Sequence, residues 1–196
     1  MKFIGITGGI GAGKSAILSY IKNHYNAKVV LADDLAKTLM EPGQECHEAI
    51  RQVFGGYDVF AEDGTIDAKA MARVMFSNPT LRERVNDIVH PRVKANVMGQ
   101  VEEERRRGQL DYFFFEAALL IEDHYDELCD ELWYIYTSED NRRARLKAGR
   151  GYSDEKITSI FASQLPESVF REHCKVVIDN NGTPEEALAH IRKILD

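Results

Sequence analysis

Apolar residues follow two patterns along this 196-residue chain. In the first they stand side by side in short runs: Phe3-Ile4-Gly5-Ile6 within residues 2–7, Lys28 to Ala32, Tyr112-Phe113-Phe114-Phe115, Leu132-Trp133-Tyr134-Ile135-Tyr136, and Val176-Val177-Ile178. Such runs, without polar alternation, predict strands buried on both faces, as in a parallel sheet. In the second pattern apolar residues return every three or four positions, as on one face of a helix. Ile17, Leu18, Ile21 and Tyr25 do so after the first run. Leu35 to Met40 follow the second run and stop at Glu41-Pro42-Gly43, and Leu188, Ile191 and Leu195 close the chain behind a capping box, Thr183-Pro184-Glu185-Glu186. Strands interleaved with helices predict a right-handed α/β arrangement around a parallel sheet.

Between residues 44 and 108 the strand pattern nearly disappears after Val59-Phe60, and helical spacing dominates. Ile66-Asp67 leads into a helix carrying Met71, Val74 and Met75, which Ser77-Asn78-Pro79-Thr80 breaks. Leu81, Val85 and Ile88 mark a second helix that His90-Pro91 ends, and Val93, Val97 and Val101 mark a third. That one ends at Arg105-Arg106-Arg107-Gly108, where basic residues and a glycine suit a helix C-terminus, so the basic run reads as a solvated helix end. His90 taken alone is more often a satisfied histidine than a functional one.

Hydrophobic residues make up 44% and charged residues 29%, ordinary for a globular protein. A net charge of −7 argues against non-specific nucleic-acid binding, although a local anion site needs only local positive charge. Cys46, Cys129 and Cys174 are odd in number and widely spaced, which suggests reduced thiols and neither a disulfide framework nor a zinc site. No apolar run approaches membrane-spanning length, and a cytoplasmic location without an obligate protein partner is the expectation.

The chemistry begins where the first strand ends, at Gly8-Gly9-Ile10-Gly11-Ala12-Gly13-Lys14-Ser15, followed by Ala16. This is the G-x-x-x-x-G-K-[ST] order of a P-loop, in its required context between a strand and a helix. Glycines let the backbone turn its N–H groups inward around phosphates, and the helix behind offers its positive end to the same anion. Lys14 is placed to reach the outer phosphates of ATP and the Ser15 hydroxyl to bind Mg²⁺. Acidic residues follow two other strands. Asp33 comes after the second, where it either accepts a proton from a substrate hydroxyl or holds Mg²⁺ through water. Helix capping is the alternative, assigned to Asp34. Glu116 follows the apolar 112–115 run, as an acid that holds Mg²⁺ beside the loop should. Downstream, Arg142, Arg143, Arg145, Lys147 and Arg150 crowd one segment before Gly151-Tyr152-Ser153. P-loop kinases close arginines over the phosphates from mobile segments, and Arg145 and Arg150, which flank the expected lid turn, are favoured over Arg142 and Arg143.

The fold expected is a P-loop NTPase: a five-stranded parallel sheet sandwiched by helices, with a helical substrate-binding insertion and an arginine-rich lid. Its parts would be core with P-loop (1–43), acceptor-binding insertion (44–108), core (109–140), lid (141–166) and core (167–196).

Across nearly its whole length the chain resembles the dephospho-CoA kinase family. The resemblance is carried by Ile4 to Ser15 with Thr7-Gly8-Gly9, Ala32-Asp33 with Leu35-Ala36, Ile88-Val89-His90-Pro91, Leu119-Leu120-Ile121-Glu122, Arg145 to Arg150, Gln164, and Val177 to Gly182, all in the family's order. It implies transfer of the ATP γ-phosphate to the ribose 3′-hydroxyl of dephospho-CoA. Asp33 would be the base or hydroxyl-orienting group, and Lys14 with Gly8 to Ala16 would hold ATP. Ser15 and Glu116 would manage Mg²⁺, Arg145 and Arg150 would offset transition-state charge, and Thr7, His90, Leu119, Leu120 and Glu122 would lie toward the acceptor. Leu31, Ala16, Glu116 and Ala118 depart from the family's usual residues, as does Cys174-Lys175, which bears on contacts to the nucleotide base. A kinase for a nucleoside monophosphate or a small hydroxy acid is a rival on the same scaffold. A GTP-binding switch is a rival of another class, but Asn-Lys-x-Asp is absent and the Asp-x-x-Gly at Asp179 to Gly182 comes after the last strand.

Overall fold

The computed structural model describes residues 1–196. Five strands form one sheet: β1 (Lys2–Thr7), β2 (Ala27–Leu31), β3 (Tyr112–Glu116), β4 (Glu131–Tyr136) and β5 (Val176–Asp179), in the spatial order β2-β3-β1-β4-β5. The first strand is therefore the central one. β1 runs parallel to β3 and β4, with Phe3 opposite Phe113 and Ile6 opposite both Glu116 and Trp133, and β4 runs parallel to β5. Both faces of these central strands are covered. Phe3, Ile4, Ile6, Phe113, Phe114, Phe115, Trp133 and Ile135 are fully buried, which is why they read as unbroken apolar runs. β2 lies at the edge and is half-buried along its length.

Two compact units share the chain. The first takes residues 1–29 and 107–196 and contains most of the sheet. Its helices are α1 (Lys14–His24), α6 (Glu139–Arg150), α7 (Asp154–Ala162), α8 (Glu167–His173) and α9 (Pro184–Leu195). Ile17, Leu18 and Ile21 are the buried face of α1, whereas Tyr25, expected to extend that face, already lies past the helix end in extended backbone. α9 starts with the capping box foreseen at Thr183 and Glu186. α8 had no periodic signal, because only Phe170 of its seven residues is buried.

The second unit, residues 30–106, takes the last two residues of β2 and is otherwise built of helices and their connections, with a single bridge between Phe60 and Ile66. It contains α2 (Ala32–Leu39), α3 (His47–Val53), α4 (Ala68–Ser77) and α5 (Pro79–Arg107). Asp67 caps α4 by accepting from the N–H groups of Lys69 and Ala70. The break expected at His90-Pro91 is absent: α5 runs through Pro91 for 29 residues. Proline removes one helical hydrogen bond and crowds the preceding turn. Here that cost is outweighed by a continuous stripe, since Leu81, Val85, Val89, Val93, Val97 and Val101 recur every four residues and all are buried. Val89, not Ile88, belongs to that stripe. Asp34 does not cap α2 either: the cap position is Leu31, and Asp34 sits inside the first turn, paired with Lys37 at 2.9 Å. No helix is long and apolar enough to cross a membrane.

Candidate active site

The central strand delivers its loop between the two strands that flank it, at the carboxyl edge of the sheet where α/β folds bind ligands. Gly8 has φ 148°, and a Cβ there would lie 2.6 Å from the Ile135 carbonyl oxygen of β4, so only glycine lets the loop leave the sheet this close to its neighbour. At the other end Gly13 occupies the cap position of α1 with φ 89°. No side chain caps this helix and its first turn holds no acidic residue. Its N-terminal dipole and N–H groups thus meet an anion without a competing carboxylate.

Lys14 reaches back along the loop. Its Nζ donates to the Gly8 carbonyl oxygen at 2.6 Å and stands 3.4 Å from Glu116 Oε1. Glu116 is there because β3 pairs with β1 in a register that sets it opposite Ile6, two residues before the loop begins at Gly8. Ser15 and Ala16 are exposed in the first turn of α1. A hydroxyl, one carboxylate and nearby phosphate oxygens form the kind of donor set Mg²⁺ takes, since that ion keeps much of its water and needs few protein ligands. The donors present therefore fit it.

Loop residue Ala12 is held from outside by three groups. Its carbonyl oxygen accepts from Asn180 Nδ2 at 2.7 Å, Thr137 Oγ1 at 3.0 Å and the Arg145 guanidinium at 3.4 Å. Arg145 also donates to the Asn180 carbonyl oxygen at 2.8 Å. Thr137 and Asn180 are buried and each directly follows a strand, β4 and β5. Thr137 carries no motif signal in the sequence, and Asn180 is marked there by its place after the last apolar run. The rule that selected Asp33 and Glu116, a polar residue at a strand's carboxyl end, selects these two as well.

Arg142 is closer still to the loop. Its Nε donates to the Ile10 carbonyl oxygen at 2.9 Å, another nitrogen donates to Gln164 Oε1, and Phe161 lies 4.2 Å below the guanidinium. Burial pulls its pKa below the ordinary arginine value against the charges of Tyr134 and Glu139, yet a guanidinium keeps its proton in proteins. Burial also pushes the neighbouring Tyr134 hydroxyl up to about 12, aided by Glu167. Arg150, by contrast, is exposed at the end of α6, against the ring of Tyr152. Arg143 is tied to Glu139 and Asp154.

The remaining expected residues fall in both units. Thr7 is fully buried with its hydroxyl unpaired. Leu120 is fully buried, while Leu119 and Glu122 are exposed on the turn that follows β3. Asp33, exposed in the first turn of α2, and His90, half-buried in α5, belong to the helical unit. Lys175 stands just before β5, at the opposite edge of the sheet from the loop, and pairs with Glu131 at 3.4 Å. The Cys174-Lys175 departure therefore lies away from the phosphate loop.

A family model for dephospho-CoA kinase matches residues 2–186. The chain belongs to the dephospho-CoA kinase family. Among curated relatives, the dephospho-CoA kinase of Geobacter sulfurreducens is 36% identical over 194 residues, covering 99% of this chain and 97% of that protein. The crystal structure of a Thermus thermophilus protein superimposes with a TM-score of 0.80 at 28% identity, covering 99% of this chain and 96% of that one. The dephospho-CoA kinase from Campylobacter jejuni gives a TM-score of 0.71 at 21% identity, covering 98% and 96%, and at that identity speaks for the fold alone.

Proposed function

We propose that this protein is an ATP-dependent kinase that transfers the γ-phosphoryl group to the ribose 3′-hydroxyl of dephospho-CoA, giving CoA and ADP, the last step of CoA synthesis, in the cytoplasm. The observation that carries the reading is the family match from residue 2 to 186, which takes in the phosphate loop and the helical unit together. ATP would lie with its phosphates against the Gly8 to Ser15 amides and the start of α1, and Ala16 would continue that contact. The Lys14 ammonium, held 2.6 Å from the Gly8 carbonyl oxygen, is positioned for the outer phosphates. Ser15 and Glu116 would hold Mg²⁺, which when bound offsets charge on the β- and γ-phosphate oxygens. Asp33 would take the proton from the attacking hydroxyl or orient it. Arg145, braced by Ala12, Thr137 and Asn180, would add positive charge at the loop. Arg150 would close over ATP from the end of α6. Thr7, His90, Leu119, Leu120 and Glu122 would line the acceptor side.

The test is ADP release from Mg²⁺-ATP with dephospho-CoA offered beside a panel of nucleoside monophosphates and small hydroxy acids. Turnover confined to dephospho-CoA, with product mass equal to CoA, is the expected result. Turnover of another panel member and none with dephospho-CoA would move the acceptor assignment to that compound.

A further inference from the structure

Two arginines of α6 touch the phosphate loop, and they touch different ends of it. Arg145 spends its donors on the carbonyl oxygens of Ala12 and Asn180 and on Thr137, at the end of the loop that enters α1. Arg142 lies over the opposite end, at Gly9 and Ile10. Lys14 brings its ammonium to that same end, at the carbonyl oxygen of Gly8, and a P-loop lysine marks where the outer phosphates sit. The fit of Arg142 on the loop is tight, for a Cβ at Gly9 would collide with the guanidinium carbon and both terminal nitrogens. Its hold is partial. Nε is bonded to Ile10 and one terminal nitrogen to Gln164, while the other terminal nitrogen donates to no protein acceptor. The Phe161 ring centre lies 4.2 Å from the guanidinium carbon, and an apolar neighbour this close lowers the local polarity and strengthens the charge toward an anion.

We propose that Arg142 is the arginine of α6 that contacts the transferring phosphoryl group, with Phe161 and Gln164 of the α7 segment positioning its guanidinium over Gly9. The assignment rests on the kinase reading above. It divides labour that the sequence left undivided: Arg145 braces the loop, and Arg142 supplies charge where negative charge shifts during transfer. An arginine placed this way acts chiefly on kcat, because its interaction grows in the transition state.

The experiment compares wild type, Arg142→Ala, Arg142→Lys and, as a control on the same helix, Arg143→Ala. Steady-state kcat and KM for ATP are measured with dephospho-CoA, and the affinities for ADP and for a non-hydrolysable ATP analogue are measured without acceptor. Arg142→Ala is expected to lower kcat by about 100-fold or more with a KM change of a few-fold at most, and Lys to restore part of the loss. The alanine variant should bind the ATP analogue only a few-fold more weakly, in step with KM, and ADP as wild type does, since only the analogue carries a γ-phosphate. Arg143→Ala should stay within about twofold of wild type, because its exposed ion pairs contribute little. Equal weakening of ADP and analogue, or kcat within about threefold of wild type in Arg142→Ala, would overturn the proposal. If wild type itself fails to phosphorylate dephospho-CoA, the acceptor reading falls, while the two affinities still decide for or against Arg142.

Discussion

Neighbouring glycines at the head of the phosphate loop have different jobs. Gly8 is required by the backbone: its φ is positive and the Ile135 carbonyl oxygen is 2.6 Å from where a Cβ would stand. Gly9 has no such backbone demand and is required by a side chain, because its Cβ would displace the Arg142 guanidinium, the far end of a flexible residue. Gly8→Ala is therefore expected to cost about 1–3 kcal/mol of stability, and Gly9→Ala to leave stability nearly unchanged while lowering kcat. Denaturant midpoints together with turnover numbers for the two variants check the contrast. Glu131 is a third residue with a legible role. It is buried beneath Lys2 at 2.9 Å, Trp133 Nε1 at 2.8 Å and Lys175 at 3.4 Å, joining the starts of β1, β4 and β5. Burial opposes its charge, but the bonds from Lys2 and Trp133 and the Lys2 charge outweigh burial, so its pKa lies below the ordinary glutamate value. A carboxyl depressed on folding stabilises the native state above its unfolded pKa, and that stability is lost as pH falls through the folded value. Glu131→Gln should lower stability at pH 7 by about 1–2 kcal/mol and flatten the loss that wild type shows below about pH 4.5, as followed by urea unfolding across that range.

At the scale of elements, α5 shows where sequence rules compete. Pro91 sits exposed inside the helix, and the buried stripe from Leu81 to Val101 continues past it. Pro91→Ala should restore a helical hydrogen bond without removing core contacts and stabilise the protein by about 1–3 kcal/mol, read as a higher thermal midpoint. A lower midpoint would mean that the packing needs the backbone geometry proline imposes there. The same helix explains part of what the sequence disclosed and withheld. Strands β1, β3 and β4 were legible because burial on both faces fills them with apolar residues, and the edge strand β5 by its short Val176-Val177-Ile178 run. The His90-Pro91 break was a local inference that a stripe of longer range overrode. The single buried residue of α8, Phe170, gives no period to detect. At the site, Lys14, Ser15 and Glu116 were legible because motif and strand end fix their places. The loop-side position of Arg142 was not, since the choice among the arginines of α6 depends on which face of that helix turns to the loop. Phe161 and Gln164, 19 and 22 residues downstream, are where that face is anchored.

For the whole molecule, an acidic net charge of −7 is compatible with the proposed phosphate site because the positive charge there is local: the side chains of Lys14, Arg142 and Arg145 all bond carbonyl oxygens of one loop, with the dipole of an uncapped helix behind it. Those residues would serve one chemical event, the movement of a γ-phosphoryl group onto a ribose hydroxyl. The most direct test follows the phosphorus itself. ATP labelled in its γ-phosphate is mixed with Mg²⁺, dephospho-CoA and either wild type or Asp33→Asn, and the products are separated and mapped. The account predicts label on the 3′-phosphate of CoA with wild type, and at least about 100-fold slower appearance with Asp33→Asn, whose amide cannot take the hydroxyl proton. Label released only as inorganic phosphate, or found on an atom other than the ribose 3′-oxygen, would contradict it.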